Sequence, residues 1–156
     1  MESKLIKKIE SNYVEILNIM KSFLRGKYNE AKQNSEQFLS YEEKLLDMKP
    51  KDMGKFIYDF GKKNNKLIEE IKTMKNDIDN LIKEIVISKE EIIKNSNESF
   101  FLIKHPKECL FLLQIDKNNQ DIYNYLNMIE SQINNHNYNK LELIFFIISN
   151  LKLISK

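Results

Sequence analysis

The sequence predicts an all-α protein, either an elongated coiled coil or a helical bundle of about four helices. Apolar residues recur at heptad spacing over residues 57–92, and shorter runs before and after this stretch repeat every three or four residues. The 156 residues include only three glycines and two prolines. A many-stranded or α/β fold needs turn residues far more often than this. The hydrophobic content of 42% and the charged content of 31% suit helices with solvated outer faces.

Residues 57–92 form the central heptad repeat, and a helix of this length extends about 54 Å at ~1.5 Å per residue. Isoleucine dominates the a positions and leucine-like residues the d positions, which is typical of coiled coils. The a positions are Ile57, Asn64, Ile71, Ile78, Ile85 and Ile92, and the d positions are Phe60, Leu67, Met74, Leu81 and Ser88. An asparagine at one a position commonly sets the register.

The e positions of this repeat widen its apolar side, because Ile68 and Ile82 fall there. A two-stranded coil does not need the extra width, whereas a third helix or a folded-back neighbour would use it. Lys75 and Lys89 are also at e positions, opposite mostly acidic g positions. These charges either bias the choice of partner or form a solvated face that adds a few tenths of a kcal/mol per pair.

Residues 2–48 are predicted to form one long helix. Its first apolar seam consists of Ile6, Ile9, Tyr13, Ile16, Met20 and Phe23. The register then slips at Gly26, and a weaker run follows at Leu24, Tyr28, Ala31, Ser35, Phe38, Tyr41, Leu45 and Met48. We expect a kink or break near Gly26, which is either part of the bundle packing or a hinge.

Three segments follow from these breaks: an N-terminal helix (1–49), a central heptad helix (50–94) and a C-terminal helical hairpin (95–156). Residues 48–54 are predicted to form the first turn, with Asp52 capping the next helix. Residues 95–98 form a second break, and residues 100–103 form a buried apolar connector. Pro106 suits the first position of a third helix. Residues 134–139 form the last turn, with Asn139 and Glu142 resembling a capping box at the start of a short fourth helix.

No catalytic, cofactor or metal site is predicted, and we expect no enzymatic activity. The single cysteine, Cys109, excludes an intrachain disulfide, and a zinc site would have to combine it with the distant His105 and His136. Neither histidine follows a glutamate by three residues, as a di-metal carboxylate bundle requires. The paired glutamates, such as Glu69 and Glu70, point apart on a helix and favour solubility.

The charge distribution excludes other classes of partner. The net charge is +2, and Arg25 is the only arginine, so the chain lacks the cationic face of a nucleic-acid-binding protein. The charged start gives no signal peptide, and no run of about 18 apolar residues would insert in a membrane. We therefore expect an intracellular location.

A resemblance to one nucleoporin family rests on three stretches. These are Pro-Lys-Glu-Cys-Leu-Phe-Leu-Leu from Pro106, Ile-Tyr-Asn-Tyr-Leu-Asn-Met-Ile-Glu from Ile122, and Asn-Lys-Leu-Glu-Leu from Asn139. Over residues 50–155 the order of elements resembles the coiled-coil region of the central-channel FG nucleoporins, specifically the middle subunit of their heterotrimer. Cys109 stands where that family usually has an aromatic residue. This sequence shows no FG-repeat tail like that of the family, so the resemblance implies the assembly role and not the binding of cargo receptors.

The resemblance implies a subunit that pairs in parallel with two other helical subunits, docks on a pore scaffold, and resides at the nuclear envelope. We therefore expect a structural coiled-coil subunit of a hetero-oligomer that supports nucleocytoplasmic transport. The alternative is a self-contained four-helix adaptor or export-chaperone-like module in the cytoplasm, with a groove for a partner helix. The residues expected to form the interaction seam are Ile57, Phe60, Asn64, Leu67, Ile71, Met74, Ile78, Leu81, Ile85, Ile92, Leu112, Ile115, Ile122, Leu126, Ile129 and Ile133.

Overall fold

The protein forms four α-helices in the part of the chain that its structure, a computed structural model, describes: residues 2–42, 49–96, 103–135, 139–151 and 153. The helices are α1 (Glu2–Glu42), α2 (Pro50–Asn95), α3 (Pro106–Asn134) and α4 (Asn139–Ser149). No strand occurs within these described ranges. The prediction of an all-α protein with four helices is therefore confirmed for them.

Two prolines mark where the central helices begin. Pro50 and Pro106 each occupy the first turn of a helix, where a backbone N–H would have no partner within the helix. Pro106 starts α3 as predicted. The prediction that Asp52 caps α2 is wrong, because Pro50 starts the helix, Lys49 takes the cap position and Asp52 lies in the first turn. The predicted turn at residues 48–54 is wrong from Pro50 onwards, because proline starts this helix instead of preventing it. Gly54 is consequently inside α2.

Other predicted breaks have mixed outcomes. α1 continues through Gly26 without interruption. The predicted break at Gly26 is therefore wrong, whereas the predicted kink stays a prediction. Ile103 is 81% exposed, so it is not part of a buried connector; residues 100–102 lie outside the described residues. The end of the predicted first helix (43–48), most side chains of its weaker second run and the side chain of Asn139 also lie outside the description.

The helices pack as a bundle in which α2 is antiparallel to both α1 and α3. α1 packs along α2, α2 against α3, and α4 against both α1 and α3. Asn12, near the start of α1, contacts Leu81 near the end of α2. Lys75 of α2 meets Glu130 late in α3, whereas Lys89 of α2 meets Asp116 early in α3. The short connections between the helices favour this arrangement.

One hydrophobic core runs through the four helices. α1 contributes buried side chains from Ile6 to Leu24, and α2 contributes them from Leu67 to Ile92. Each isoleucine of this kind stabilises the folded state by about 1.5–3 kcal/mol relative to an exposed one. Over residues 50–66 of α2, the described side chains are exposed or half-buried. Among the described side chains, the core therefore includes α2 only from Leu67 onwards.

Candidate interaction surfaces

The predicted interaction seam lies largely inside the chain's own core. The buried members are Leu67, Ile71, Met74, Ile78, Ile85 and Ile92 in α2, with Leu112, Ile115, Ile122, Leu126, Ile129 and Ile133 in α3. Leu81 is half-buried against the same core. Ile57 is 54% exposed, and the side chains of Phe60 and Asn64 lie outside the described residues. The buried members hold α2 and α3 in the bundle, and they present little surface to another protein.

The widened side of α2 is covered by α3. Ile82 is buried, and the two lysines at e positions bond to α3. Lys75 Nζ lies 3.2 Å from Asn127 Oδ1 and 3.5 Å from Glu130 Oε2, and Lys89 Nζ lies 3.1 Å from Asp116 Oδ1. Such pairs at the surface contribute about 0–1 kcal/mol each. Their main effect is to fix the alignment of α2 and α3 within one chain.

Tyr13 connects α1 to α3 through the core. Its hydroxyl donates a hydrogen bond to Asn119 Oδ1 at 2.6 Å, and its ring meets Phe111 edge-on, with ring centroids 6.3 Å apart. Burial, followed by the nearby charge of Asp116, raises the pKa of Tyr13 well above its usual value. The phenol therefore stays protonated and acts as a hydrogen-bond donor.

Asn12 makes a second polar contact between helices. Its side-chain nitrogen donates to Leu81 O at 3.3 Å and to Glu84 Oε2 at 2.9 Å. The sequence pattern placed Tyr13 in an apolar seam, and it predicted no polar contact at Asn12 or Asn119. A polar atom at a position predicted to be buried requires a partner. This requirement could have indicated from the sequence that these side chains make polar contacts. It does not indicate which helix supplies the partner.

A groove of about 480 Å³ lies between α2 and α3 on the surface of the bundle. Ile82 and Val86 line it from α2, and Asn119 and Tyr123 line it from α3. Its volume is in the range of ligand-sized clefts, although it is open along its length. The groove therefore suits an elongated partner better than a small enclosed molecule.

Asp79 and Tyr123 bridge one end of this groove. The hydroxyl of Tyr123 donates to Asp79 Oδ1, and Lys83 Nζ lies 3.1 Å from Asp79 Oδ2. The hydrogen bond from Tyr123, followed by that from Lys83, holds the pKa of Asp79 below its usual range. Burial, followed by the hydrogen bond to Asp79, raises the pKa of Tyr123 to about 12. These bonds fix the polar rim in one arrangement.

Large apolar side chains remain exposed along the same groove. Ile87 lines it and is 62% exposed. Ile93, seven residues after Val86, and Leu113, three residues before Asp116, lie on the rows of α2 and α3 that face the groove; they are 57% and 75% exposed. Single exposed apolar residues are ordinary, but a row of them beside a groove is typical of an interaction surface.

A smaller pocket of about 280 Å³ lies between α1 and α4. Leu24 and Leu141 line it, and the Arg25 guanidinium lies 5.6 Å from the centroid of the Phe145 ring. This distance fits a cation–π contact. The only arginine of the chain is thus engaged in packing α4 onto α1.

The possible metal ligands do not form a site in the described part of the chain. Cys109 is a buried free thiol, and burial, followed by the charge of Glu108, raises its pKa. His105 precedes α3, and its carbonyl accepts the backbone N–H of Cys109 at 2.9 Å. His136 lies outside the described residues. No group of three His, Cys, Asp or Glu side chains that could hold a metal ion occurs among those that are described.

The fold and its surfaces define an α-helical bundle with an open groove. Comparison with protein-family models, with curated proteins and with solved structures gave no match. None of the described helices contains an apolar stretch long enough to cross a membrane. The function must therefore be inferred from the surfaces themselves.

Proposed function

We propose that this protein is a self-contained helical module that binds an amphipathic helix of another protein in the groove between α2 and α3. The observation that supports the proposal is the exposed Ile87 in the lining of that groove. The exposed Ile93 and Leu113 fall, by helix periodicity, on the rows that continue from it. From Leu67 onwards the described heptad seams are enclosed by the chain's own helices, whereas the groove is an apolar surface that stays open to a partner.

The groove matches the length of a short helix. From Asp79 to Ile93, α2 advances about 21 Å at ~1.5 Å per residue, which corresponds to about four turns. A helix laid in such a groove inserts apolar residues spaced three or four apart. Ile87 and Leu113 would contact these residues. The Asp79–Tyr123 and Lys89–Asp116 pairs would form the polar rim that excludes water and sets orientation.

The test compares groove variants of the full chain with a control variant. We would replace Ile87 and Leu113 by Asp, one at a time, and recover bound proteins from the native cells by affinity capture with quantitative mass spectrometry. Leu143→Asp is the matched control, because Leu143 is also exposed, at 58%, but lies on α4. Circular dichroism would confirm that each variant remains folded.

We expect both groove variants to lose the same captured partner by about tenfold or more, because a charge is buried without a pair. Leu143→Asp should retain that partner. A photo-crosslinker at position 87 should then join the chain to a helical segment of that partner. Retention of all partners by the groove variants, or equal loss with Leu143→Asp, would contradict the proposal.

A second candidate function is a structural coiled-coil subunit of a multiprotein assembly, such as a nuclear pore central-channel complex. The observation that favours it is the exposed Ile57, which continues the heptad repeat beyond the core. Under this proposal, Ile57→Asp would release two helical subunits and a pore scaffold from the captured complex, whereas the groove variants would not. Capture of one unrelated client by the wild-type chain would favour the groove-binding module instead.

A further inference from the structure

The first part of α2, residues 50–66, continues a row that faces α3 elsewhere in the molecule. Lys75 and Ile82 belong to this row, since Lys75 bonds to Asn127 and Glu130 of α3 and Ile82 lines the α2–α3 groove. Positions seven residues apart repeat on nearly the same side of a helix. Steps of seven back along α2 lead to Ile68, Gly61 and Gly54. These two glycines therefore extend the row that packs against α3.

α3 ends before it reaches these glycines. Lys75 pairs with Glu130, and α3 stops one turn later at Asn134. Because α2 and α3 are antiparallel, α3 covers α2 only as far as its first buried residues, near Leu67. Residues 50–66 extend beyond this point, and the core that the structure describes does not reach them.

This segment, which α3 does not cover, exposes apolar side chains beside the two glycines. Ile57 is 54% exposed, although the a positions Ile71, Ile78 and Ile85 of the same repeat are fully buried. Tyr58 is exposed beside it. A Cβ atom at Gly54 or Gly61 would meet nothing within 4 Å, so the packing of this chain does not require either glycine. Glycine is unfavourable inside a helix but lets another backbone approach closely.

The charge of the segment indicates which kind of partner fits. Residues 50–66 contain two aspartates, Asp52 and Asp59, and five exposed lysines: Lys51, Lys55, Lys62, Lys63 and Lys66. Lys51, Lys55 and Lys62 flank the row of Gly54 and Gly61 on one side, about 60–100° around the helix, whereas Lys63, Lys66 and both aspartates lie towards its far side. A second copy docked antiparallel on this row would bring the three flanking lysines against their own counterparts, and like charges disfavour such an interface. An acidic partner would find complementary charge.

We propose that residues 50–66 of α2 dock an acidic amphipathic helix of another protein, which lies end to end with α3 on the row of Gly54 and Gly61. The packing of α3 on α2 continues into this surface, so the partner helix extends an interface that the chain already contains. The site is separate from the α2–α3 groove, and variants of the two surfaces distinguish them.

The probe is a designed amphipathic peptide of about five helical turns, with leucine every three or four residues and glutamate at the flanking positions. The matched probe has lysine in place of every glutamate. Binding of each labelled peptide to the full chain is measured by fluorescence anisotropy at low and high salt. We expect the acidic peptide to bind at least about tenfold more tightly than the basic one, and to weaken as salt rises.

Two variants of the chain test the position of the peptide. Ile57→Glu should weaken binding of the acidic peptide by about tenfold or more, because it places a like charge in the apolar contact. Gly61→Leu should do the same by filling the space between the helices, and should raise Tm because leucine favours helix. Gly26→Leu is the matched control, since a Cβ there also meets nothing within 4 Å. Leu113→Asp, in the groove, separates the two surfaces, because the preference for the acidic over the basic peptide should persist in this variant.

Three outcomes would overturn the proposal. One is equal affinity for the acidic and basic peptides, or no binding of either. Another is unchanged binding by Gly61→Leu, because the peptide would then lie elsewhere. The third is saturable binding to phosphatidylserine vesicles that exceeds peptide binding and depends on the same lysines, which would make the segment a membrane contact.

Discussion

The hydroxyl of Tyr13 donates a 2.6 Å hydrogen bond to Asn119 Oδ1 and thereby joins α1 to α3, two helices that are not consecutive in the chain. Tyr13→Phe removes the donor and leaves the buried amide oxygen without it. We expect the free energy of unfolding to fall by about 1–2 kcal/mol. Urea denaturation measures the change. Tyr58→Phe is the control, because Tyr58 is exposed; an equal loss in both variants would contradict this role for Tyr13.

Ile78 and Ile57 occupy the same heptad position but differ in burial. Ile78→Ala should lower the free energy of unfolding by about 2–5 kcal/mol, because it leaves a cavity in the core. Ile57→Ala should change it by about 0.5 kcal/mol or less, because most of that side chain already faces solvent. Chemical unfolding of both variants tests this difference. Similar losses would show that residues 50–66 share the core.

The Asp79–Tyr123 hydrogen bond should make stability depend on pH in two separate ranges. The pKa of Asp79 is lower in the folded chain than in the unfolded chain. Its contribution to stability is therefore present above the unfolded pKa, about 3.9, and is lost as the pH falls through the folded pKa. The pKa of Tyr123 is raised to about 12, so its contribution is present below about 10 and is lost as the pH rises towards 12.

Thermal unfolding of the wild type and of Tyr123→Phe, from acidic to alkaline pH, measures both effects. The variant should be less stable near neutral pH, and the difference in Tm should shrink towards each extreme. A spectrophotometric titration of tyrosinate should also lose one high-pKa group in the variant. A constant difference in Tm across the whole range would contradict the link between this hydrogen bond and the two pKa shifts.

Gly26 lies inside α1, where a Cβ atom would meet nothing within 4 Å. Gly26→Ala should therefore raise the free energy of unfolding by about 0.5–1 kcal/mol, because alanine favours helix and restricts the unfolded chain. Differential scanning calorimetry measures the shift in Tm. A loss of stability would instead indicate that Gly26 provides a bend that alanine resists.

The all-α fold could be predicted from the sequence because helical periodicity is a local property. The spacing of Ile71, Ile78 and Ile85 shows which side of α2 is apolar, and Pro106 shows where α3 begins. The same pattern does not show what covers the apolar side. Ile57 satisfies the repeat as well as Ile78 does, yet only Ile78 is buried, because burial depends on where a neighbouring helix ends. This is why heptad spacing predicted an interface between chains at residues that the chain covers itself.

The candidate surfaces could be predicted from the sequence to a lesser extent than the fold. The groove depends on the alignment of α2 with α3, which Lys75–Glu130 and Lys89–Asp116 fix across residues distant in the sequence. The widening of the apolar side at Ile82 predicted either a third helix or a folded-back neighbour, and α3 of the same chain covers it. It did not identify α3 as that neighbour. The position of the exposed Ile93 and Leu113 beside the groove follows only from the packing of α2 against α3.

The extension of α2 beyond α3 divides one continuous helix into two parts of unequal local stability. Residues 67–92 contribute the buried side chains of α2, so we expect their amide protons to exchange mainly through global unfolding, whereas none of the described side chains of residues 50–66 is buried. Hydrogen–deuterium exchange should therefore be fast in the first part of α2 and slow in the second, with the boundary near Leu67. A protein that covered the first part would slow its exchange without any change in the rest of the bundle.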